Sequence, residues 1–148
     1  MVDIRHRVGI ATSPDRLYDS LATVEGLSRW WTTTVTGDAA PGGRLAFYFG
    51  HDEPGAVMEV VSTTPGTQVV WRCVEGPAEW LDTTVSFDLV AAEGETVLRF
   101  AHAGWEEPVE FMSHCNTKWG LFLLGLKDGF EGGKATPFPD EVKISSWG

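Results

Sequence analysis

The sequence predicts an α+β fold: a curved antiparallel sheet of about six strands wrapped around one long C-terminal helix, with two short helices after the first strand. Three observations carry this. Five strand-like runs between Leu45 and His102, four of them alternating in side-chain face, are joined by short turns, which is the pattern of an antiparallel meander. A flanking alternating run, Ile4, His6, Val8 and Ile10, precedes them and is followed by helix-start chemistry. From Pro108 to Gly133, Met112, Cys115, Trp119, Phe122/Leu123, Leu126 and Phe130 recur at steps of three or four, the apolar stripe of a helix laid on a surface.

Each element has a local cause. In the first strand Arg5, Arg7 and Gly9 take the opposite face from the apolar set. Ser13 is an N-cap residue, Pro14 suits a first helical turn, and Asp15 is favoured by the helix dipole. Leu17, Tyr18 and Leu21 form the apolar side of that helix, and a second short helix spans Val24 to about Trp30. Gly37 to Gly43 is a loop. Strands then follow around Leu45/Phe47/Phe49, Val57 to Ser62, Val69/Trp71/Cys73, Thr83/Val85/Phe87/Leu89 and Leu98/Phe100/His102. They are separated by His51–Gly55, Thr64–Thr67, Glu75–Glu79 and Ala92–Glu95. Residues 1–135 read as a single domain, and 136–148, with Pro137 and Pro139, as an extended tail.

Composition excludes several classes. The chain has 148 residues and a net charge of −10, with only 11 Lys and Arg, which are scattered. A nucleic-acid surface needs clustered cations to displace counterions, so no nucleic-acid partner is expected. No apolar run approaches the roughly 20 residues that cross a bilayer, and the N-terminus lacks the apolar core of a secretion signal. The expectation is a cytoplasmic protein without a membrane partner. Cys73 and Cys115 are then free thiols that serve as small hydrophobes. Seven Trp and eight Phe supply rigid wall material as well as core filling.

Specific residues add a resemblance. Ser28-Arg-Trp-Trp-Thr32, Pro41-Gly-Gly-Arg-Leu45, Gly55-Ala-Val-Met-Glu-Val-Val61, Thr64-Pro65 and Val69-Val-Trp71 occur in this order. Thr96-Val-Leu-Arg-Phe-Ala-His-Ala-Gly-Trp105, Lys118-Trp-Gly120 and Leu123-Leu-Gly-Leu-Lys127 follow. Over roughly residues 3 to 133 the series resembles the helix-grip fold of the START-like and Bet v 1-like proteins. Within it, the likeness is to the SRPBCC branch related to the C-terminal domain of the heat-shock-protein-90 ATPase activator. The resemblance implies a pocket between sheet and terminal helix. It implies no shared catalytic set and no cofactor, because fold alone does not carry chemistry.

The expected activity is binding of a hydrophobic or aromatic small molecule in that pocket. Strand parity assigns Phe47, Phe49, Met58, Val60, Trp71, Phe87 and Leu89 to its sheet wall. Helical spacing assigns Met112, Cys115, Trp119 and Phe122 to the opposite wall, and Trp31 is placed to close one end. His102 shares the parity of Leu98 and Phe100. It serves either as a polar anchor at the pocket mouth or as a structural histidine tied to a backbone carbonyl. His6 is placed to share its wall.

Two alternatives belong to other classes. One is a protein–protein, co-chaperone-like module; a homodimer through an exposed strand or the long helix is also open. The other is a cyclase- or lyase-type enzyme, for which His102 is the only inward acid or base. His114 and Cys115 point about 100° apart on a helix and cannot form a dyad with each other; a Cys115–His102 dyad would need a basic environment. His51-Asp52-Glu53 lies in a turn and matches no metal motif, so no metal is expected. Glu106, Glu107 and Glu110 fit the positive end of the helix dipole. Asp88 has outward parity, and Asp82 sits near a strand start. Gly120, Gly125 and Gly129 weaken a helix by about 1 kcal/mol each relative to Ala; they serve close packing or leave room for a ligand.

Overall fold

The computed structural model describes all residues, 1–148. Strand β1 (Val2–Ile10) leads into helices α1 (Pro14–Ala22) and α2 (Val24–Ser28). Strands β2 (Thr34–Gly37), β3 (Arg44–Tyr48), β4 (Ala56–Thr64), β5 (Gln68–Glu75), β6 (Thr84–Ala92) and β7 (Glu95–Trp105) follow, and helix α3 (Glu110–Phe130) comes last. A short 3-10 turn, Ala78–Trp80, interrupts the path from β5 to β6. All seven strands form one antiparallel sheet in the order β1-β7-β6-β5-β4-β3-β2. This is the helix-grip architecture, with one strand more than expected. Thr34–Gly37 pairs with β3 through Val35↔Phe47 and its neighbours. Four residues with one apolar side chain are too few to show alternation in sequence.

The helix ends follow their local chemistry. The Ser13 side chain accepts from the backbone N–H of Arg16, and Thr23 accepts from Gly26 to start α2. Trp30 donates its indole N–H to the Ser20 carbonyl at 2.9 Å, which binds α2 back onto α1. Helix α2 is shorter than expected, because Trp30 and Trp31 leave its end to enter the core. Helix α3 begins two residues after Pro108 and ends at Phe130, with the Glu131 N–H closing on Asp128 and Lys127 carbonyls.

The inner face of the sheet carries the core. Leu45, Phe47, Met58, Trp71, Val85, Phe87 and Leu98 are fully buried, and α1 adds Leu17 and Leu21. Irregular register near Val57/Met58 and Val60/Ser62 breaks the straight course of β4 and increases local bend and twist. The two consecutive tryptophans fill the concave face. Trp30 meets Phe87 edge-on at 6.1 Å, and Trp31 stacks over Trp71 at 6.1 Å.

Gly120 of α3 lies over His6 of β1. Gly125 and Gly129 face the returning chain at Ala135 and Thr136. At all three positions a methyl group would meet its neighbours at ordinary contact distance.

Beyond α3 the chain turns back over the open end of the sheet. Phe138 donates its N–H to the Trp31 carbonyl at 2.9 Å and accepts from Thr33 N–H at 3.1 Å. Glu141, exposed by only 7%, accepts from Lys118 at 2.6 Å and from Lys143. No helix is long and apolar enough to cross a membrane.

Candidate functional site

A cavity of about 300 Å³ opens where α3, the open end of the sheet and the returning chain meet. Its floor is three indoles. Trp31 and Trp119 lie 4.8 Å apart, Trp80 stacks on Trp119 at 6.2 Å, and Trp31 and Trp80 are 6.5 Å apart. Each comes from a different element, so the floor exists only in the folded chain. Phe49, just past β3, and Phe122 of α3 form side walls. Phe111, Phe138 and Trp147 stand around the opening.

The expected wall residues separate into two groups. Trp31, Phe49, Cys115, Trp119 and Phe122 line the cavity. Phe47, Met58, Val60, Trp71, Phe87 and Leu89 are buried in the core behind it, and Met112 packs half-buried against that core. Parity places these core residues on the inner face, as read from sequence. The space in front of them is occupied, however, by Trp30 and Trp31. The cavity is what remains beyond that plug.

His102 is fully buried behind Trp119, and both ring nitrogens are engaged. Trp119 donates its indole N–H to Nδ1 at 3.1 Å. An accepting Nδ1 puts the proton on Nε2, which donates to Thr83 Oγ1 at 2.8 Å. Thr83 in turn donates to the Trp80 carbonyl at 2.6 Å. The chain of bonds ties the Trp119 indole and the Trp80 backbone to β7. Burial pushes the His102 pKa down to about 4, which keeps the ring in this neutral form. The histidine therefore reaches a backbone carbonyl through Thr83 and does not line the cavity.

The cysteines behave as hydrophobes. Both are free. Burial pushes the Cys115 thiol up to about 12 and the Cys73 thiol up to about 11. With His102 committed on both nitrogens, no base is set against Cys115. His6 lies beside Phe100 with ring centroids 6.0 Å apart, and its partner across the strands is Phe100 while His102 faces Ile4. Asp82 pairs with Arg72 at 2.7 Å, and Asp88 accepts from Gln68 at 2.6 Å. His51, Asp52 and Glu53 are exposed in the β3–β4 turn, and no group of three or more His, Cys, Asp or Glu is placed to hold a metal. The three helix glycines do not line the cavity, so they leave no room for a ligand there.

Sequence reasoning missed Trp80, Phe111, His114, Lys118 and the whole contribution of residues 138–148. Trp80 sits in a break marked by Gly76-Pro77, where no periodicity assigns a face. Its signal was an aromatic ring inside a polar loop. The same signal stood in the tail at Phe138 and Trp147. The Trp80 indole N–H is buried and finds no acceptor of hydrogen-bond geometry. The Cys115 sulfur lies near enough to feel that donor.

Known proteins place the chain. It is similar to the Aha1 dimer from Colwellia psychrerythraea, solved in solution: 41% identity, TM-score 0.84, covering 91% of this chain and 100% of that one. Protein SSP2350 from Staphylococcus saprophyticus shares the fold at 12% identity and TM-score 0.74, over 90% of this chain and 95% of that one. So does CalU16 from Micromonospora echinospora, at 19% identity and TM-score 0.75, over 90% and 76%. No curated protein matches at a significant level. Such a fold supports a ligand-binding or co-chaperone-like module in general. The model for "Activator of Hsp90 ATPase homolog 1-like protein" matches residues 11–131, and with it the chain belongs to that family.

Proposed function

We propose that the protein binds a hydrophobic, aromatic small molecule in the cavity above Trp31, Trp80 and Trp119. The observation that carries this is an open space of about 300 Å³ walled by aromatic rings from unconnected elements. A closed core would have been the cheaper use of those rings. A cavity of roughly 150 Å³ holds a benzene-sized guest, so this one suits a two-ring system. Burying a ring system of about 200 Å² contributes on the order of 5 kcal/mol, from which the cost of association is subtracted. Apolar contact alone thus gives weak binding, and a polar contact must add to it. Lys118 and Lys143 on the cavity lining are donors that can supply it. His102 has no free nitrogen to offer as an anchor or as an acid or base for turnover.

A second reading is assembly with a protein, a further copy of the chain included. It draws support from the dimer formed by the Colwellia Aha1 relative. The two are separable. Native mass spectrometry of the protein from its own host should show a retained small molecule of low mass. Titration with bicyclic aromatics should quench the floor tryptophans, and Phe49→Ala should weaken that quench. A protein that is empty as isolated and ignores a broad aromatic library, while running as a concentration-dependent dimer, would favour the second reading.

A further inference from the structure

We infer that the ligand is an aromatic or otherwise apolar carboxylate, and that Lys118 and Lys143 at the cavity mouth receive its acid group in place of Glu141. The inference rests on the binding reading above and names the chemistry of the molecule bound.

The cavity lining contains three charged side chains: Lys118, Lys143 and Glu141. All three are joined. Glu141 Oε2 accepts from Lys118 at 2.6 Å, and Oε1 accepts from Lys143. Both ammonium groups also lie at the edge of the aromatic wall. Lys118 Nζ is 5.4 Å from the centre of the Phe122 ring, and Lys143 Nζ is 4.9 Å from that of Phe138. A ring lying between Phe122 and Phe138 would carry a carboxyl substituent into reach of both lysines. In a chain of net charge −10, two lysines converging on an apolar cavity are a marked local reversal of sign.

Glu141 already occupies that position as an internal carboxylate. It is buried, yet it sits in a stretch with no helix or strand of its own, between the exposed Asp140 and Val142. Burial pushes its carboxyl up, but the hydrogen bonds and charges of Lys118 and Lys143 outweigh this and hold it below the usual carboxylate range. Lys118 makes two further contacts with the same stretch, to the Val142 and Gly148 carbonyls at 3.3 Å. Exchanging one carboxylate for another keeps the lysine bonds and their charge balance. A neutral ligand would have to leave Glu141 in place or leave Lys118, whose side chain is only 14% exposed, and the more exposed Lys143 with backbone carbonyls alone and no counter-charge. The site therefore discriminates by charge, and the chain's own glutamate is the competitor.

The test uses the full chain, with 2-naphthoate and its neutral counterpart 2-naphthamide as probes, by isothermal titration calorimetry. Wild type should prefer the acid. Glu141→Gln removes the competitor and should tighten the acid by up to about fivefold, the scale of one partly exposed charge pair, with the amide changed by less than about 1.5-fold. The double variant Lys118→Gln/Lys143→Gln should lose the preference while still binding the amide. Equal affinity for acid and amide in wild type and in Glu141→Gln overturns the inference and leaves the cavity reading intact. If Glu141→Gln weakens both probes alike by loosening the tail, the lysine double variant decides: a preference for acid that survives it overturns the inference. Failure of both probes to bind wild type and every variant overturns both readings.

Discussion

The aromatic core under the sheet and the aromatic ring around the cavity mouth use the same residue types to opposite ends. Phe47, Trp71 and Phe87 pack with one another and with Trp30 and Trp31, and nothing is left between them. Phe49, Phe111, Phe138 and Trp147 stand around a void, and the charged trio of Lys118, Glu141 and Lys143 holds that end together. The difference lies in what supports each ring. Core rings stand on central strands, which fix them from both sides through the ladder. Mouth rings stand on a strand end, a helix start and a returning segment, each with one free side. Ring content does not separate filler from wall; position relative to the ends of elements does.

Truncation should expose this most strongly. Trp71→Ala removes a ring that is 0% exposed and should cost about 3–5 kcal/mol. Trp147→Ala removes one that is 57% exposed and should cost under about 1 kcal/mol. Urea unfolding with an unchanged m-value measures both. A large loss at Trp147 would mean that the mouth is part of the cooperative core, and the contrast would fail.

His102 stands at the border of the two regions, and acid should act there. Its pKa is about 4 in the folded chain against 6.5 ordinarily, so the folded state takes up its proton later than the unfolded state. The stability it contributes is present above pH 6.5 and is lost as pH falls through 4. The shift corresponds to about 3 kcal/mol. The cause is burial, which penalises the charged ring; a protonated Nδ1 would also face the Trp119 donor. Chemical denaturation from pH 7 to pH 4 should show the decline, and His102→Gln, which can still accept from Trp119 and donate to Thr83, should remove most of it. The difference between the two proteins isolates this residue from the carboxylates that lose their partners at lower pH.

Much of the fold was legible because alternation reports directly which side of a strand meets the interior. The meander from β3 to β7 carries that signal, and α1 and α3 carry its helical counterpart, an N-cap and an apolar stripe at steps of three or four. The edge strand β2 does not, since Val35 is its one buried residue. The cavity was half legible, for a related reason. Parity says which way Trp71 and Phe87 point, but not whether the space in front of them is already taken. That depends on Trp30 and Trp31, whose side chains reach the concave face only because Thr23 starts α2 where it does and Trp30 bonds to Ser20. The tail was the least legible part. Its rings and charges have no period, and they acquire a place only once Phe138 pairs with Trp31 and Glu141 meets Lys118.

The smallest effect sharpens the comparison from the back of α3. Gly120 faces His6, and Gly125 and Gly129 face Ala135 and Thr136, with room for a methyl group at ordinary contact distance in each case. None of the three has a positive φ, so alanine fits their backbone. Helix propensity then dominates, and each Gly→Ala substitution should raise stability by about 0.5–1 kcal/mol. Gly120 backs onto the filled sheet, while Gly125 and Gly129 lie under the chain that leads to the mouth. Alanine at Gly120 should raise stability and leave binding of an aromatic probe unchanged. If alanine at Gly125 or Gly129 raises stability but slows probe entry, the returning chain moves against α3 when the mouth opens. Thermal unfolding and stopped-flow quenching of the floor tryptophans measure the two quantities. Destabilisation at all three positions would mean that α3 is pressed more closely on its neighbours than these distances allow.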